Sequence, residues 1–138
     1  MAETVRQVEH YSASVANKVG EGARVLGALQ ATGINLIALW GYPRGAGKAT
    51  IEIIPENGAA FVAAAKGAKL KLSKKQTAFF VQGDDRPGAI ADLLAKLAAA
   101  KINVGALQAV CGGSARYGAV IFLPQAAVVK AAKVLGAA

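Results

Sequence analysis

The second half of the sequence repeats the first half without a gap. Each matched residue lies 68 positions before its counterpart, as Gly20 lies before Gly88. The matched positions are turn glycines, apolar helix positions and strand-opening Ile-Asn pairs: Gly20 with Gly88, Leu26 and Leu29 with Leu94 and Leu97, Ile34-Asn35 with Ile102-Asn103, Gly45 with Gly113, and Ile53 with Ile121. An excess of alanine does not produce agreement at such positions. The repeat therefore predicts two copies of one small α/β unit, residues 1–72 and residues 73–138. Because units this small are marginal alone, we expect them to pack against each other or against a partner chain.

Hydrophobic residues make up 54% of the chain, which raises the question of a membrane protein. Much of that fraction is alanine, and no run of 18 apolar residues is free of charge. The first residues, Met1 to Arg6, lack the basic and apolar regions of a secretion signal. The lone cysteine, Cys111, fits a reducing compartment, and we expect it to be a buried thiol at a strand end. The sequence predicts a cytoplasmic protein that binds no membrane.

The net charge of +8 raises the possibility of nucleic-acid binding. The basic residues are scattered except for one cluster, Lys66, Lys69, Lys71, Lys74 and Lys75. The alternation of lysine and leucine over residues 69–72 is typical of a half-buried strand that shows its lysines to solvent. No aromatic residues lie between these lysines, so we expect no nucleic-acid partner.

The first copy has the hydrophobic periodicities of a βαββαβ unit. Strands are predicted over residues 7–15, 34–40, 49–54 and 69–72, with Tyr11, Ala13 and Val15 on the buried face of the first. A helix starts near Gly22 and is closed by Gly33, and a second helix covers residues 59–65. A glycine-rich loop is expected at residues 41–47.

The second copy has the same pattern without a fourth strand, because the sequence ends after its second helix, residues 125–135. Its first helix has the stronger start signals: Asp84 or Asp85 as the cap and Pro87 at the first helical position. Residues 3–8 either fill the fourth strand position, which would join the chain's ends, or leave it empty. The predicted fold class is α+β, with two tandem ferredoxin-like units whose antiparallel sheets carry helices on one face.

These residues resemble the ACT domain, a small regulatory module of amino-acid metabolism. The resemblance rests on the βαββαβ order, on the turn Asp85-Arg86-Pro87-Gly88 before an amphipathic helix, and on the strand opening Lys101-Ile102-Asn103-Val104. It covers both copies and is most similar to stand-alone tandem ACT proteins without a catalytic domain. The first copy departs from the pattern, since Asn17 stands in place of the aspartate and Val19 in place of the proline.

The resemblance implies a regulatory protein that binds a small amino acid at the strand-to-helix turns or at the seam between the modules. We also expect a homodimer, because the sheet edges of such units invite pairing, and a metabolic enzyme or regulator as partner, with no cofactor and no metal. The ligand-binding residues that the resemblance indicates are Asp84, Asp85, Arg86, Pro87, Gly88, Ala89 and Asn103 in the second copy, and Asn17, Gly20 and Asn35 in the first. The chemistry agrees, because a helix N-terminus attracts a carboxylate and a glycine lets it approach the backbone.

Each of these residues also has a purely structural interpretation. Pro87-Gly88 is a sound helix start without any ligand, and Asn35 and Asn103 are common turn residues. Trp40 and Tyr42 are equally compatible with an interface and with a pocket wall. The alternative hypothesis is therefore a ligand-free interaction or oligomerisation module that uses an open sheet edge or the Trp40 surface.

Catalysis has little support in the sequence. It contains no recognisable nucleophile–base pair, and His10 has no second metal-type ligand nearby. Residues 45–50 resemble a phosphate-binding loop only faintly, because the glycine spacing is wrong and the segment leads into a strand. We therefore expect no enzyme.

Overall fold

A computed structural model describes residues 3–138, which form seven strands and four helices. The elements in chain order are β1 Thr4–Ala16, α1 Glu21–Ala31, β2 Leu36–Gly45, β3 Lys48–Pro55, α2 Gly58–Gly67, β4 Lys71–Leu72, β5 Gln76–Asp84, α3 Ala89–Ala99, β6 Ala106–Gly113, β7 Arg116–Phe122 and α4 Val128–Leu135. A 3-10 turn, Gln125–Ala127, leads directly into α4. Within residues 3–138, no helix is both long and apolar enough to cross a membrane.

Backbone contacts divide the chain into two compact units. The first unit is Glu9–Gln76, and the second unit is residues 3–8 together with Thr77–Ala138. Strand β1 is shared, since its first residues belong to the second unit and the remainder to the first unit.

The first unit has an antiparallel sheet in the order β4-β1-β3-β2. Tyr11 pairs with Ile53 and Ala13 with Ile51, so these alternate side chains point to one face. They pack there with the apolar stripes of α1 and α2, and the resulting core comprises Tyr11, Ala13, Val15, Val25, Leu29, Ile51, Ile53, Phe61 and Ala65. Helices on one face of an antiparallel sheet in this order are ferredoxin-like, as the sequence predicts.

The second unit has the corresponding order, with β1 beside β5, then β7, then β6. The part of β1 in this unit begins at Thr4, so the amino-terminal segment supplies the strand that the sequence after α4 lacks. Residues 5 and 138 are joined by a backbone hydrogen bond, in which the Ala138 N–H donates to the Val5 carbonyl at 3.1 Å. The core of this unit packs α3 and α4 on the sheet through Phe79, Val81, Leu93, Leu97, Ile121 and Ala131.

The two units keep the same backbone conformations at the repeat offset. Helices α1 and α3 start and end at equivalent positions, and each follows a left-handed glycine, Gly20 with φ 89° and Gly88 with φ 79°. The hairpins between β2 and β3 and between β6 and β7 each turn on two residues with positive φ, Ala46-Gly47 and Ser114-Ala115. A two-residue turn with positive φ at both residues has a backbone twist that matches the right-handed twist of the two strands it connects.

The expected start of α3 is wrong in its details. The helix begins at Ala89 and its cap position is Gly88, so Pro87 precedes the helix instead of opening it. Asp84 ends β5 and pairs with Arg116 at 2.9 Å, and no side chain of residues 3–138 caps Gly88 by a hydrogen bond. Asp84 therefore ends the strand and Asp85 opens the turn, so neither lies at the cap position of α3.

The expected glycine-rich loop at residues 41–47 is correct only for its last two residues, Ala46-Gly47, because strand β2 continues to Gly45. Strand β2 continues through Gly41 and Pro43, and β6 continues through Gly112. Each has an irregular register near its end, between Pro43 and Gly45 and between Cys111 and Gly113. Strands β2 and β6 each end the strand order, and glycine, proline and bulges are tolerated at sheet edges.

Candidate functional site

The second turn, residues 85–88, connects β5 to α3 and is tied to the β6–β7 hairpin. The Asp85 N–H donates to the Ala115 carbonyl at 2.9 Å, and this bond fixes where the turn leaves the sheet. Gly88 adopts a left-handed conformation, and a side chain there would have open space around its Cβ. The turn is exposed throughout, so its backbone is accessible to a ligand.

A cavity of about 350 Å³, called the second cavity, opens beside this turn. Its walls come from the turn, the start of α3, edge strand β6 and the beginning of β7: Asp85, Arg86, Gly88, Ala89, Ile90, Ala91, Ala109, Val110, Cys111 and Tyr117. The walls combine apolar side chains with one basic residue, one acidic residue and one phenol. This combination suits a small ligand that carries both charges and has a modest apolar part.

The polar side chains of the second cavity are held by neighbours. Arg86 Nη2 donates to Asp92 Oδ2 at 2.6 Å, and this bond raises the pKa of the guanidinium above its ordinary value. The Tyr117 hydroxyl donates to Glu3 Oε2 at 2.5 Å. Burial, together with this bond to Glu3, raises the pKa of Tyr117 well above its ordinary value. The phenol therefore stays protonated at neutral pH and the guanidinium stays charged.

The N-terminus of α3 offers the N–H groups of Ile90 and Ala91 to the second cavity, whereas the Ala89 N–H donates to the Arg86 carbonyl at 3.3 Å. The first N–H groups of any helix lack partners within the helix and sit at the positive end of its dipole. In α2 the Asn57 side chain satisfies one of them by accepting from the Ala60 N–H at 3.0 Å. Among the described residues, no side chain does the same at Gly88. The start of α3 is therefore suited to an anionic group such as a carboxylate.

The first turn, residues 17–20, has a corresponding cavity of about 230 Å³, called the first cavity. Its walls include the repeat equivalents of the second cavity's walls: Asn17, Lys18, Glu21, Gly22, Gly41, Tyr42, Pro43 and Ala49. The Asn17 N–H donates to the Gly47 carbonyl at 2.9 Å, which reproduces the bond between Asp85 and Ala115. The backbone of the site is thus present twice.

The side chains of the two cavities differ most at the first residue of the helix. Glu21 begins α1, whereas its equivalent Ala89 begins α3. Arg24 donates two hydrogen bonds to the Glu21 carboxylate, Nε to Oε1 and Nη2 to Oε2, both at 2.9 Å. The hydrogen bond from Arg24 lowers the pKa of Glu21; burial opposes this, and the charges of Arg24 and Lys18 add to the lowering. The first cavity therefore contains a carboxylate of its own.

The structure brings together some of the residues indicated by the sequence. Asp85, Arg86, Gly88 and Ala89 line the second cavity, and Asn17 lines the first. The remaining indicated residues, Asp84, Pro87, Asn103, Gly20 and Asn35, are outside both sets of lining residues. Asn35 instead donates its amide to the Glu56 carboxylate at 2.9 Å.

Two residues of the second cavity are not found by the sequence reasoning. Cys111, expected to be a buried thiol, is exposed on β6, the last strand in the order of the sheet. Tyr117 is recognisable only as an aromatic residue that the repeat aligns with Ala49. An aromatic residue without a counterpart at the start of a strand is a weak signal, yet here it marks a cavity wall.

A buried polar cluster on the helix-free face of the first unit is also missed. Glu52 accepts hydrogen bonds from His10 Nε2 at 2.8 Å, from the Ser12 hydroxyl, and from the Tyr42 hydroxyl at 2.5 Å. Trp40 stacks on the His10 ring with centroids 6.2 Å apart. The available signal is a charged residue inside the apolar strand 51–54, opposite a strand that carries His10 and Ser12 on one face.

Burial raises the pKa of Glu52, but the hydrogen bonds from Ser12, Tyr42 and His10 outweigh burial and leave the pKa below its ordinary value. Residues 3–138 contain no group of three His, Cys, Asp or Glu side chains placed to hold a metal ion. We therefore describe these side chains as a hydrogen-bonded network. Tyr42 links the network to the first cavity, which it also lines.

Neither a protein-family model nor a curated protein matches this chain. Among solved structures, it is similar to protein BT0572 from Bacteroides thetaiotaomicron, with 20% identity and a TM-score of 0.83 over 96% of this chain and 88% of that one. It is also similar to the ligand-free regulatory subunit of aspartate kinase from Thermus thermophilus, with 14% identity and a TM-score of 0.64 over 98% and 93% of the two chains. The regulatory subunit of aspartate kinase from Thermus flavus gives 12% identity and a TM-score of 0.59 over 99% and 95%. These likenesses show that the chain has the fold of such regulatory subunits.

Proposed function

We propose that this chain is a regulatory protein built from two tandem ACT-like modules, and that it binds a small amino acid in the second cavity. The observation that carries the proposal is a cavity at the β5–α3 turn with an uncapped helix start, a basic side chain and an acidic side chain. The shared fold with regulatory subunits of aspartate kinase supports a regulatory role. The cavity volume, about 350 Å³, is near the lower end for ligand sites and favours a small molecule.

The second cavity has a complementary group for each part of a zwitterion. The ligand carboxylate would lie at the backbone N–H groups that open α3, with Arg86 as the nearest fixed positive charge. The α-ammonium would face the carboxylate of Asp85, and the absence of a side chain at Gly88 allows the close approach. The ligand side chain would contact Ile90 and Val110, so its size would set the specificity.

The mechanism would be a shift between two packing arrangements of the protein. A ligand changes such an equilibrium by as much as its affinities for the two states differ. The state that it favours would then bind, or release, a metabolic enzyme or regulator. This role requires no catalytic residue in the chain itself.

A thermal-unfolding screen against the proteinogenic amino acids tests the proposal. A ligand at one hundred times its dissociation constant stabilises a protein by about 2.7 kcal/mol, which raises the Tm of a small domain by several degrees. We expect a selective shift from one or two amino acids. A flat screen on well-folded protein would contradict amino-acid binding.

Gly88→Asp and Gly20→Asp form a matched pair for this screen. Both glycines have positive φ and open space at the Cβ position, so both substitutions should carry a similar strain of about 1–2 kcal/mol. Gly88→Asp also places a carboxylate where the ligand's own would bind, and it should abolish the ligand-dependent shift. Gly20→Asp should lower the ligand-free Tm and leave the shift intact. Loss of the shift in Gly20→Asp alone would assign the ligand to the first cavity.

The ligand-free interaction module is the second candidate, and edge strand β6 favours it. This strand has no charged residue, and Val110 on it is 71% exposed. An uncharged, exposed edge is a template for pairing with the same strand of a second copy, which would give a homodimer. Sedimentation of the wild type and of Gln108→Lys tests this, since a lysine on the edge should weaken a dimer formed there. A dimer that amino acids leave unchanged, in a protein with a flat thermal screen, would favour this candidate.

A further inference from the structure

The first cavity has the same backbone as the second cavity but contains a negative charge at the helix start. Glu21 is the first residue of α1, and its side chain is only 11% exposed. It lies among the walls of the first cavity, next to Lys18 and Gly22. Its equivalent in the second cavity is the methyl group of Ala89.

The guanidinium of Arg24 holds the Glu21 carboxylate at this position. Arg24, one turn further along α1, grips both carboxylate oxygens with bonds of 2.9 Å. The charge of Lys18, which lines the same cavity, further lowers the pKa of the Glu21 carboxyl. A bidentate guanidinium fixes the orientation of a carboxylate as well as its charge. Glu21 therefore lies where a carboxylate ligand of this cavity would be expected.

The second unit arranges its charges in the reverse order. Asp92 stands at the repeat position of Arg24, and Arg86 stands at that of Lys18. The bond between Arg86 and Asp92, 2.6 Å long, keeps a positive charge on the turn instead of a negative charge at the helix start. Glu21 thus lies at the first residue of α1 and is bonded to Arg24, whereas the acidic residue in the first turn of α3, Asp92, lies further along the helix and is bonded to Arg86.

We infer that Glu21 is a built-in carboxylate that excludes carboxylate ligands from the first cavity and so restricts binding to one amino acid per chain. The inference rests on the proposed function for the number of ligands, but the exclusion itself concerns any carboxylate. A second carboxylate entering the first cavity would find the space at the helix start and the Arg24 donors already taken by Glu21. Glu21 acts here as a specificity-determining residue.

Titrations with sodium acetate and, separately, with glycine test the inference. The amide NMR signals of residues 21–23 and of residues 89–91 report ligand binding at the two helix starts separately. Acetate supplies the carboxylate alone, and glycine supplies the zwitterion with the smallest side chain. In the wild type we expect the amides of residues 89–91 to shift and those of residues 21–23 to stay unchanged. In Glu21→Ala both sets should shift. In Ala89→Glu neither set should respond.

Glu21→Gln is the control for shape, because it keeps the side-chain length and removes the charge. It should admit acetate to the first cavity less completely than Glu21→Ala but more than the wild type. Wild-type circular dichroism and dispersed amide spectra serve as the folding criterion for every variant. Ala89→Glu tests the same idea in the other unit and does not depend on the folding of Glu21→Ala.

The outcomes separate this inference from the proposed function. Acetate shifts at residues 21–23 of the wild type would overturn the inference, whatever the amino-acid screen shows. The inference would also be overturned if Glu21→Ala is folded and acetate does not shift the amide signals of its residues 21–23. Acetate confined to residues 89–91, together with a flat amino-acid screen, would support the exclusion by Glu21 while contradicting amino-acid binding.

Discussion

The two strand-to-helix turns have one backbone and two chemistries. In each, the turn N–H bonds to the hairpin carbonyl at 2.9 Å and a left-handed glycine precedes the helix. The first turn then places Glu21 at the helix start, whereas the second places Ala89 there. Backbone geometry in this repeat is thus set by glycines and hairpins, and a single side chain at the helix start decides whether the site is open to an anion.

The helix-free faces of the two sheets also differ in their side chains, which are polar in the first unit and apolar at the equivalent positions of the second unit. The first unit has the polar cluster around Glu52, while the repeat equivalents of His10, Tyr42 and Glu52 are Ala78, Val110 and Val120. A polar network that is fully hydrogen-bonded can rigidify a structure, whereas a partly satisfied one is costly. The first unit has therefore gained a directional hydrogen-bonded network where the second unit has apolar side chains.

The cores should be the most similar parts of the two units, and a pair of cavity-forming substitutions tests this. Leu29 and Leu97 are 2% and 1% exposed at equivalent positions of α1 and α3. Leu29→Ala and Leu97→Ala should each lower the free energy of unfolding by about 2–5 kcal/mol, because each leaves a cavity in a close-packed core. Urea unfolding, followed by amide signals of each unit, measures the two losses. A difference above about 2 kcal/mol between the variants would contradict the equivalence of the cores.

The Glu52 network should give the next largest effect, and only in the first unit. Glu52→Ala leaves the donors of His10, Ser12 and Tyr42 without their acceptor, so unfolding should become easier by about 1–3 kcal/mol. Val120→Ala, at the equivalent position, is the control for the loss of side-chain volume. Thermal unfolding of both variants at neutral pH measures the difference, and equal losses would contradict a specific contribution from the network.

Glu52 also predicts a pH dependence whose sign follows from its lowered pKa. A carboxyl whose pKa is lower in the folded than in the unfolded protein stabilises the fold above its unfolded pKa, here about 4.5. That stabilisation is lost as the pH falls through the folded pKa. Between pH 7 and pH 3 the wild type should therefore lose more stability than Glu52→Gln, as measured by urea unfolding at each pH. Parallel pH profiles for the two proteins would contradict the assignment.

The helices of the fold are the part that the sequence predicts best. Apolar periodicity and Gly33 define α1 well, because a buried helix stripe and a left-handed stop leave distinct sequence marks. The glycine-rich segments were misinterpreted, since Gly41 and Pro43 are usual loop residues but are also accepted on an edge strand. Whether a strand lies at an edge depends on the order of the sheet, which local sequence does not reveal.

The sequence predicts the residues of the turn in the second cavity, but it does not predict the residues that line the rest of that cavity. Asp85, Arg86 and Gly88 follow one another in sequence, so a local motif identifies them. Tyr117 and Cys111 come from distant strands, and their positions follow from the register of β6 with β7. The repeat does not indicate Glu21, because Glu21 lies at a position where the two copies differ, opposite Ala89.

The smallest expected effects on the free energy of unfolding come from single substitutions at the two hairpin tips, each of which introduces the residue found at the equivalent position of the other hairpin. Ala115 has φ 54°, which is strained for a residue with a side chain, and its equivalent Gly47 has φ 73°. Ala115→Gly relieves the strain but loosens the unfolded chain, so it should stabilise by less than about 1 kcal/mol. Gly47→Ala should cost about 1 kcal/mol through backbone strain alone, since a Cβ at Gly47 would have no atom within 4 Å.

These two hairpins also hold the turns, because the carbonyls of Gly47 and Ala115 accept the N–H groups of Asn17 and Asp85. If Ala115→Gly changes only backbone strain, the amide shifts of residues 89–91 on titration with acetate should be the same as in the wild type. If the substitution moves the hairpin tip, those shifts should become smaller. Differential scanning calorimetry measures the stability, and the amide titration measures the turn. A loss of acetate response in Ala115→Gly without a loss of stability would mean that the hairpin tip, and not only the helix start, sets the geometry of the second cavity.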